Sequence, residues 1–246
     1  MKILIDKNNR KLFIYPDRVK DVIHTHLGII KKEQLLKAKN GSIIKTHLKH
    51  EFKVLEPGFT DLFENIKRIP QIIILKDAGT ISAYTGIASG SKVVEAGSGS
   101  GGLTTYLANL VKPDGKIYSY EKRKDFAALA KENVDNFGLN KYVEIKNKDI
   151  SKGISEKEVD VVVLDLPEPW RVIKHAEKAL KPGGYFVSYV PTVNQLMNIY
   201  KALSKSKLTV IKTIETIERE WKIGDATRPL SQKIGHTAFI TFARKI

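Results

Sequence analysis

The 246-residue chain contains no cysteine. That excludes a disulfide framework, a thiolate zinc site and a cysteine nucleophile. It is compatible with a reducing cytoplasm and with a hot habitat. Long apolar runs are also missing: nothing approaches the roughly 20 residues that span a bilayer. The opening stretch MKILIDKNNRKLFIY carries charges where an export signal has its apolar core. The expectation is therefore a cytoplasmic globular protein that does not enter a membrane. Acidic residues are scarce, 27 Asp+Glu against 42 Lys+Arg, a formal charge of +15. A surplus of that size suits a polyanionic partner, although a solvated lysine-rich surface has the same composition. With 42% hydrophobic and 28% charged residues, the chain has enough apolar material for a core.

Residues 1–70 read as a small β-rich, barrel-like domain. Short apolar-alternating segments at 2–5, 11–15, 42–47 and 53–55 are separated by polar, turn-prone stretches. This part carries 15 Lys/Arg against 8 Asp/Glu and four of the six histidines: His24, His26, His47 and His50. Their spacing includes no cysteine or carboxylate in a recognisable ligand pattern, so no metal is expected. A helix is predicted from Phe59 to about Lys67, followed by an apolar stretch at 71–75.

Residues 71–246 form the second expected domain, with a different rhythm from Ser91 onward. Strands at 92–96, 116–120, 142–146, 159–164 and 185–190 alternate with helices at 102–111, 123–137, 170–180 and 192–204. Alternation of this kind means a parallel sheet covered on both faces. The run VDVVVL at 159–164 is apolar enough for a strand buried on both sides. Two further β runs, 209–220 and 237–243, follow with no helix between them and predict an antiparallel hairpin at one edge.

The strongest motif follows the first strand of this domain: Glu95-Ala-Gly97-Ser-Gly99-Ser100-Gly101-Gly102-Leu103. Glycines between strand and helix let a ligand approach the backbone and meet helix N-terminal N–H groups. The spacing also satisfies a dinucleotide fingerprint. Glu121 ends the next strand, where a carboxylate can accept from both ribose hydroxyls of a nucleoside. Three further acids favour S-adenosylmethionine over a dinucleotide. Glu95 can neutralise a nearby amino or sulfonium group, Asp149 can take an adenine amino group, and Asp165 ends the fourth strand where the reacting group would lie. Phe126 suits either stacking on adenine or the core face of its helix.

These residues, with His24-Thr-His26-Leu-Gly28, Arg68 and Gln71, Lys76-Asp77-Ala78, Asp165-Leu-Pro-Glu-Pro-Trp170 and Gly235-His236-Thr-Ala-Phe239, make the chain resemble the tRNA (adenine-N1)-methyltransferase family of TrmI type. The resemblance covers nearly the whole chain. It implies a Rossmann-like class I methyltransferase sheet with a small N-terminal β domain. It further implies a homotetramer that uses S-adenosylmethionine to methylate N1 of adenosine in the tRNA T-loop, at position 58 and in archaeal members also at 57. By matching positions, Ser100 to Leu103, Glu121, Phe126, Asp149 and Asp165 would touch the cofactor. Asp165 would also hold the N6 amino group of the target adenine, and Gln71, Trp170 and His236 would line the substrate pocket. One departure stands out: Ile74-Leu75 occupies positions where the family usually has an aromatic or histidine followed by proline. Two other readings fit the glycine loop. One is a methyltransferase acting on a small molecule such as a corrinoid precursor, and the other a non-catalytic tRNA-binding partner subunit.

Overall fold

The computed structural model describes residues 1–231 and 235–246. The chain divides into two compact units, Met1–Ile66 and Lys67–Ile246.

In the first unit, β1 (Lys2–Ile5), β2 (Lys11–Ile14), β5 (Ile43–Lys45) and β6 (Glu51–Leu55) make an antiparallel sheet in the order β2-β1-β6-β5. β3 (Val22–Thr25) and β4 (Gly28–Lys31) form a separate hairpin, followed by α1 (Lys32–Lys37); α2 (Phe59–Glu64) comes after β6. Strict alternation in β6 sends Phe52 and Val54 inward and leaves Glu51 and Lys53 in water. Ile23 and Ile30 of the hairpin join Leu4, Leu35, Ile44, Phe52 and Val54 in one core. The sheet and the hairpin share that core, and the hydrogen-bonded ladder is open, with β2 and β5 as edges. The hairpin and α1 were not foreseen. Val22–Thr25 gives half of its four positions to His24 and Thr25, and its turn depends on Gly28 at φ +113° and on Thr25 Oγ1 accepting from Leu27 N. His26 Nε2 pairs with Asp6 Oδ2 at 2.9 Å, and His47 Nδ1 accepts from Ile29 N. Among the described residues no three His, Asp or Glu side chains are grouped as metal ligands.

The second unit holds α3 (Leu75–Thr85), β7 (Lys92–Ala96), α4 (Gly102–Val111), β8 (Lys116–Tyr120), α5 (Lys124–Asn136), β9 (Val143–Lys146), β10 (Val159–Leu164), α6 (Ile173–Ala179), β11 (Leu180–Val190), α7 (Val193–Leu203), β12 (Leu208–Glu215), the two-residue pair β13 (Trp221–Lys222) and β14 (Arg228–Pro229), and β15 (Phe239–Lys245). Seven strands form one sheet in the order β12-β15-β11-β10-β7-β8-β9. It is parallel from β11 to β9 and antiparallel where β15 meets β11 and β12, as the alternation of elements predicts. Val161 and Val163 of β10 pack on one face with Val93, Leu107 and Phe242. Val162 and Leu164 pack on the other with Val94, Phe186, Ile173 and Ile199. Burial on both faces is why this strand has no polar alternation.

The chain runs from β7 through β8 to β9 on one side, then returns to place β10 on the other side of β7. Helical connections therefore diverge at the carboxyl ends of β7 and β10, where open α/β sheets leave a crevice. Several elements differ from the expectation: β11 starts earlier, at Leu180, β12 stops at Glu215, the β13–β14 pair was not predicted, and two helices change. No helix was predicted at 75–85, because Gly79, Thr80, Ser82 and Thr85 are weak helix formers. Their hydroxyls instead bond back to helix carbonyls, buried Ala78 and Ile81 anchor one face, and Gly86 closes the helix at φ +69°. The predicted 170–180 helix is shorter, since Pro169 opens a 3-10 turn through Val172 and α6 begins only at Ile173. No described helix is long and apolar enough to cross a membrane.

Candidate active site

Ala96 and Leu164 are neighbours across the β7–β10 ladder, so the loops that follow them start side by side. Asp165 N donates to the Ala96 carbonyl at 2.6 Å, and Gly97 N donates to the Asp165 carbonyl at 3.1 Å. These backbone bonds hold the glycine loop and Asp165 together. The loop then turns over Glu121 at the end of β8. Glu121 Oε2 accepts from Gly99 N at 3.0 Å, and Oε1 accepts from Arg123 N at 2.9 Å. A Cβ at Gly97 would stand 3.2 Å from the same carboxylate, so a side chain there would push loop and Glu121 apart by a few tenths of an ångström. Gly101, at φ +81°, opens α4, and its missing Cβ leaves room for Ala130 of α5.

A cleft of about 720 Å³ lies over these strand ends. Gly97, Gly99, Glu121, Phe126, Asp149 and Asp165 line it, as do Gln71 and His236. Phe126 faces the cleft with the Arg123 guanidinium 3.7 Å from its ring centre, so it is not part of the helix core. Asp149 borders the cleft and also caps the turn that follows, its Oδ1 accepting from Ser151 N at 2.9 Å. Hydrogen bonding from the Ser151 hydroxyl, and then from its backbone N–H, holds the Asp149 carboxyl below the usual range.

Several expected residues are elsewhere. Glu95 does not line the cleft. It is turned beneath the loop, 2% exposed, with Oε2 accepting from Thr104 Oγ1 and Ser119 Oγ, both at 2.7 Å. Ser100, Gly101, Gly102 and Leu103 are likewise outside the lining. Ser100 Oγ accepts from Ile69 N at 3.1 Å, and a Cβ at Gly102 would come within 2.9 Å of Ile72, so these residues seat the loop. Trp170 is not a cleft residue either; it packs on the core that contains Ile173 and Ile199. The sequence reading missed Tyr189, Arg123 and Ile72, which do line the cleft. Tyr189 was findable as an aromatic near the carboxyl end of a parallel strand.

Burial and partners set the charges. Asp165 is half-buried, and none of the hydrogen bonds found among the described residues reaches its carboxylate. Desolvation pushes it up to about 6. Both ring nitrogens of His236 meet oxygen: Glu215 Oε1 at Nδ1 and the Pro191 carbonyl at Nε2, 2.8 Å away. Two acceptors favour the imidazolium, and Glu215 raises its pKa above the usual value.

Burial raises Glu95 to about 7, with Asp165 and Glu121 adding to the shift and its two hydroxyl donors opposing it. The unfolded chain would release that proton near the ordinary value of 4.5. The folded state therefore binds the extra proton between those two pH values and loses stability as pH rises through them, by about 3 kcal/mol in all. Glu95→Gln cannot ionise, and its amide oxygen can still accept from Thr104 and Ser119. Melting curves of the unliganded protein should show the variant gaining on the wild type from pH 5 to pH 8, by roughly 5–10 °C. A constant difference across that range would mean that Glu95 titrates normally.

Comparison with known proteins gives a consistent picture. The family model described as "tRNA methyltransferase complex GCD14 subunit" matches residues 63–227. The chain is 36% identical to a Methanocaldococcus jannaschii protein named tRNA (adenine(57)-N(1)/adenine(58)-N(1))-methyltransferase TrmI, over 99% of this chain and 94% of that one. It is 34% identical to the Thermus thermophilus tRNA (adenine(58)-N(1))-methyltransferase TrmI, over 99% and 96%. Among solved structures, a Thermotoga maritima chain described as a SAM-dependent O-methyltransferase superposes with a TM-score of 0.91 at 35% identity, covering 100% of this chain and 92% of that one.

Proposed function

We propose that this chain, which belongs to the GCD14/TrmI family of tRNA methyltransferases, methylates N1 of an adenine in tRNA with S-adenosylmethionine as donor. The observation that carries the reading is the Asp165 carboxylate: desolvated, without a hydrogen-bond donor among the described residues, and facing a cleft floored by a glycine loop.

The donor fits the residues present. Glu121 has a carboxylate fixed by two backbone N–H groups at the cleft wall, able to accept from a ribose diol. Asp149 borders the same cleft for an adenine amino group, and Phe126 offers a ring face for stacking. Gly97 and Gly99 leave backbone where side chains would fill the space. Bound there, S-adenosylmethionine would supply an electrophilic methyl group on a sulfonium. Glu95, Ser100 and Leu103 act from beneath by holding the loop.

Adenine N1 has a free lone pair at neutral pH, so no base is needed to expose it. As N1 forms its bond to the methyl carbon, the bond from that carbon to sulfur would break and leave a neutral thioether, so the positive charge passes to the base and spreads toward N6. Asp165 accepts from the N6 amino group and stabilises that charge more strongly than the neutral ground state. It then takes the N6 proton. The T-loop adenosine must be extruded from folded tRNA at a cost of a few kcal/mol, which phosphate contacts can offset. The basic N-terminal unit is the proposed auxiliary RNA surface, with 13 Lys/Arg against 8 Asp/Glu in Met1–Ile66. His236 and Gln71 are proposed to line the acceptor end. We extend the proposal to a homotetramer. Exposed Val193, Met197 and Tyr200 make a stripe along α7, and Ile211 is exposed on the edge strand β12; these apolar surfaces support association.

Position 58 of the T-loop is the proposed target, with 57 as the second candidate. Ile74 borders the cleft at the start of α3 and is the residue expected to influence that choice. The test is methyl transfer from labelled S-adenosylmethionine to unmodified tRNA transcripts, with nucleoside analysis and mapping. N1-methyladenosine in the T-loop is the expected product. Cofactor binding without transfer to tRNA would shift the assignment to a small-molecule acceptor; no cofactor binding would shift it to a non-catalytic tRNA-binding subunit.

A further inference from the structure

Beneath the acceptor end of the cleft lies an ion pair that the scheme above does not use. Asp77 is completely buried in the first turn of α3. Its Oδ1 receives Lys76 Nζ at 2.7 Å, and its Oδ2 accepts from the Tyr189 hydroxyl at 3.0 Å. Lys76 is nearly buried and donates twice more, to the Thr216 carbonyl at 2.7 Å and to Thr237 Oγ1 at 2.8 Å. All three ammonium protons therefore have partners. One buried pair joins the start of α3, the penultimate residue of β11, the segment after β12 and the segment before β15. Two of the joined residues, Tyr189 and Thr237, line the cleft together with Asp165 and His236.

A buried ion pair is a poor device for stability alone, because two apolar residues of similar volume would do as well. Its geometry does have a local effect here. Because the Tyr189 hydroxyl is donated into Asp77, it is turned to the protein interior and the ring orientation is fixed. Thr237 is held in the same way by Lys76. We propose that Lys76 and Asp77 are positioning residues: through Tyr189 and Thr237 they fix the wall against which the methyl-accepting base is oriented. Burial and the Asp77 charge raise the Tyr189 phenol above its usual range, which keeps it neutral and donating. Tyr189 then acts through its ring, and neither as a base nor as a proton donor to the ligand.

The inference rests on the tRNA reading above. The test is a double-mutant cycle on the full chain with Tyr189→Phe and Lys76→Met. Its readouts are single-turnover methyl transfer to tRNA transcript, the dissociation constants of S-adenosylmethionine and tRNA, and the melting midpoint. Tyr189→Phe keeps the ring and cuts only the tether, so it should fold. Its transfer rate at saturating tRNA is expected to fall by about 10–100-fold, the scale of a small misplacement of reacting atoms. Both dissociation constants should stay within about threefold, and Lys76→Met should add little to Tyr189→Phe, because both cut one network. A merely structural pair would lower the midpoint and weaken cofactor binding together with rate, and that result overturns the proposal. Additive losses, or a Tyr189→Phe rate equal to wild type, also overturn it. Absence of transfer by the unaltered protein overturns both this inference and the tRNA reading, so the two failures are distinguishable.

Discussion

Asp165→Ala is expected to lose about 10²–10⁴-fold in the rate of methyl transfer to tRNA while S-adenosylmethionine binding weakens less than tenfold. The lower bound is the cost of removing one well-placed partner of a charge that develops in the transition state. The carboxylate makes no hydrogen bond among the described residues, so its removal disrupts no side-chain network. Its backbone bonds to Ala96 and Gly97, which hold the loop, survive the substitution. A ground-state contact would affect affinity and rate alike, whereas an interaction that strengthens with charge on the base appears mainly in rate. The sign of the pH effect follows from burial. Asp165 must be ionised to stabilise a cation, and its pKa is pushed up to about 6. The kcat/KM for tRNA should therefore rise with pH through about 6 and level off above it. Asp165→Asn should abolish that acid limb together with most of the rate. Equal losses in rate and cofactor affinity would make Asp165 mainly a cofactor ligand.

Glu121→Gln should weaken S-adenosylmethionine binding by about 100-fold, although it replaces one oxygen with a nitrogen. Glu121 is nearly buried and uses both oxygens as acceptors, one from Gly99 N and one from Arg123 N. An amide must set its NH₂ against one of those donors. That loses a charge-assisted hydrogen bond of about 1.5–3 kcal/mol and leaves an N–H without its acceptor. The variant also offers a ribose diol one acceptor in place of a carboxylate. Whichever way the amide turns, either the glycine loop or the start of α5 loses its anchor. Titration calorimetry measures the effect directly. Affinity within about threefold of wild type would mean that the ribose is held elsewhere.

Much of the catalytic unit was readable because its strands are short and buried on both faces. Lys92–Ala96, Lys116–Tyr120 and Val159–Leu164 coincide with the predicted runs, since apolar residues bounded by glycine, proline or charge leave few alternatives. Gly97, Gly99, Glu121 and Asp165 were readable for a related reason: each follows or ends such a strand, and topology brings strand ends together. Side-chain direction was not readable in the same way. Glu95 sits just before the glycine loop, yet the alternation of β7 turns it inward to Thr104 and Ser119. The motif places Trp170 on the pocket wall, whereas in the structure it is partly buried and packs against the core that contains Ile173. The Asp77–Tyr189 bond spans 112 positions, and no local pattern encodes a partner that distant. The β3–β4 hairpin and α3, whose Gly79, Thr80, Ser82 and Thr85 are weak helix formers, were missed because they draw their stability from tertiary contacts rather than propensity.

The place of β15 has a consequence for a nascent chain. This strand lies between β11 and β12, although both of those are synthesised before it. Thirty residues separate Glu215 from Lys245, which at about 5–20 residues per second is a wait of roughly 2–6 seconds. During that wait β11 and β12 cannot pair as they do in the finished sheet, and each presents an unpaired ladder to other polypeptides in a crowded cell. Thr237, the residue that Lys76 holds, also arrives with this last piece. A growing polypeptide can thus complete its glycine loop well before its acceptor wall. The interval is one in which a holdase or a neighbouring chain can compete for the slot that β15 will fill.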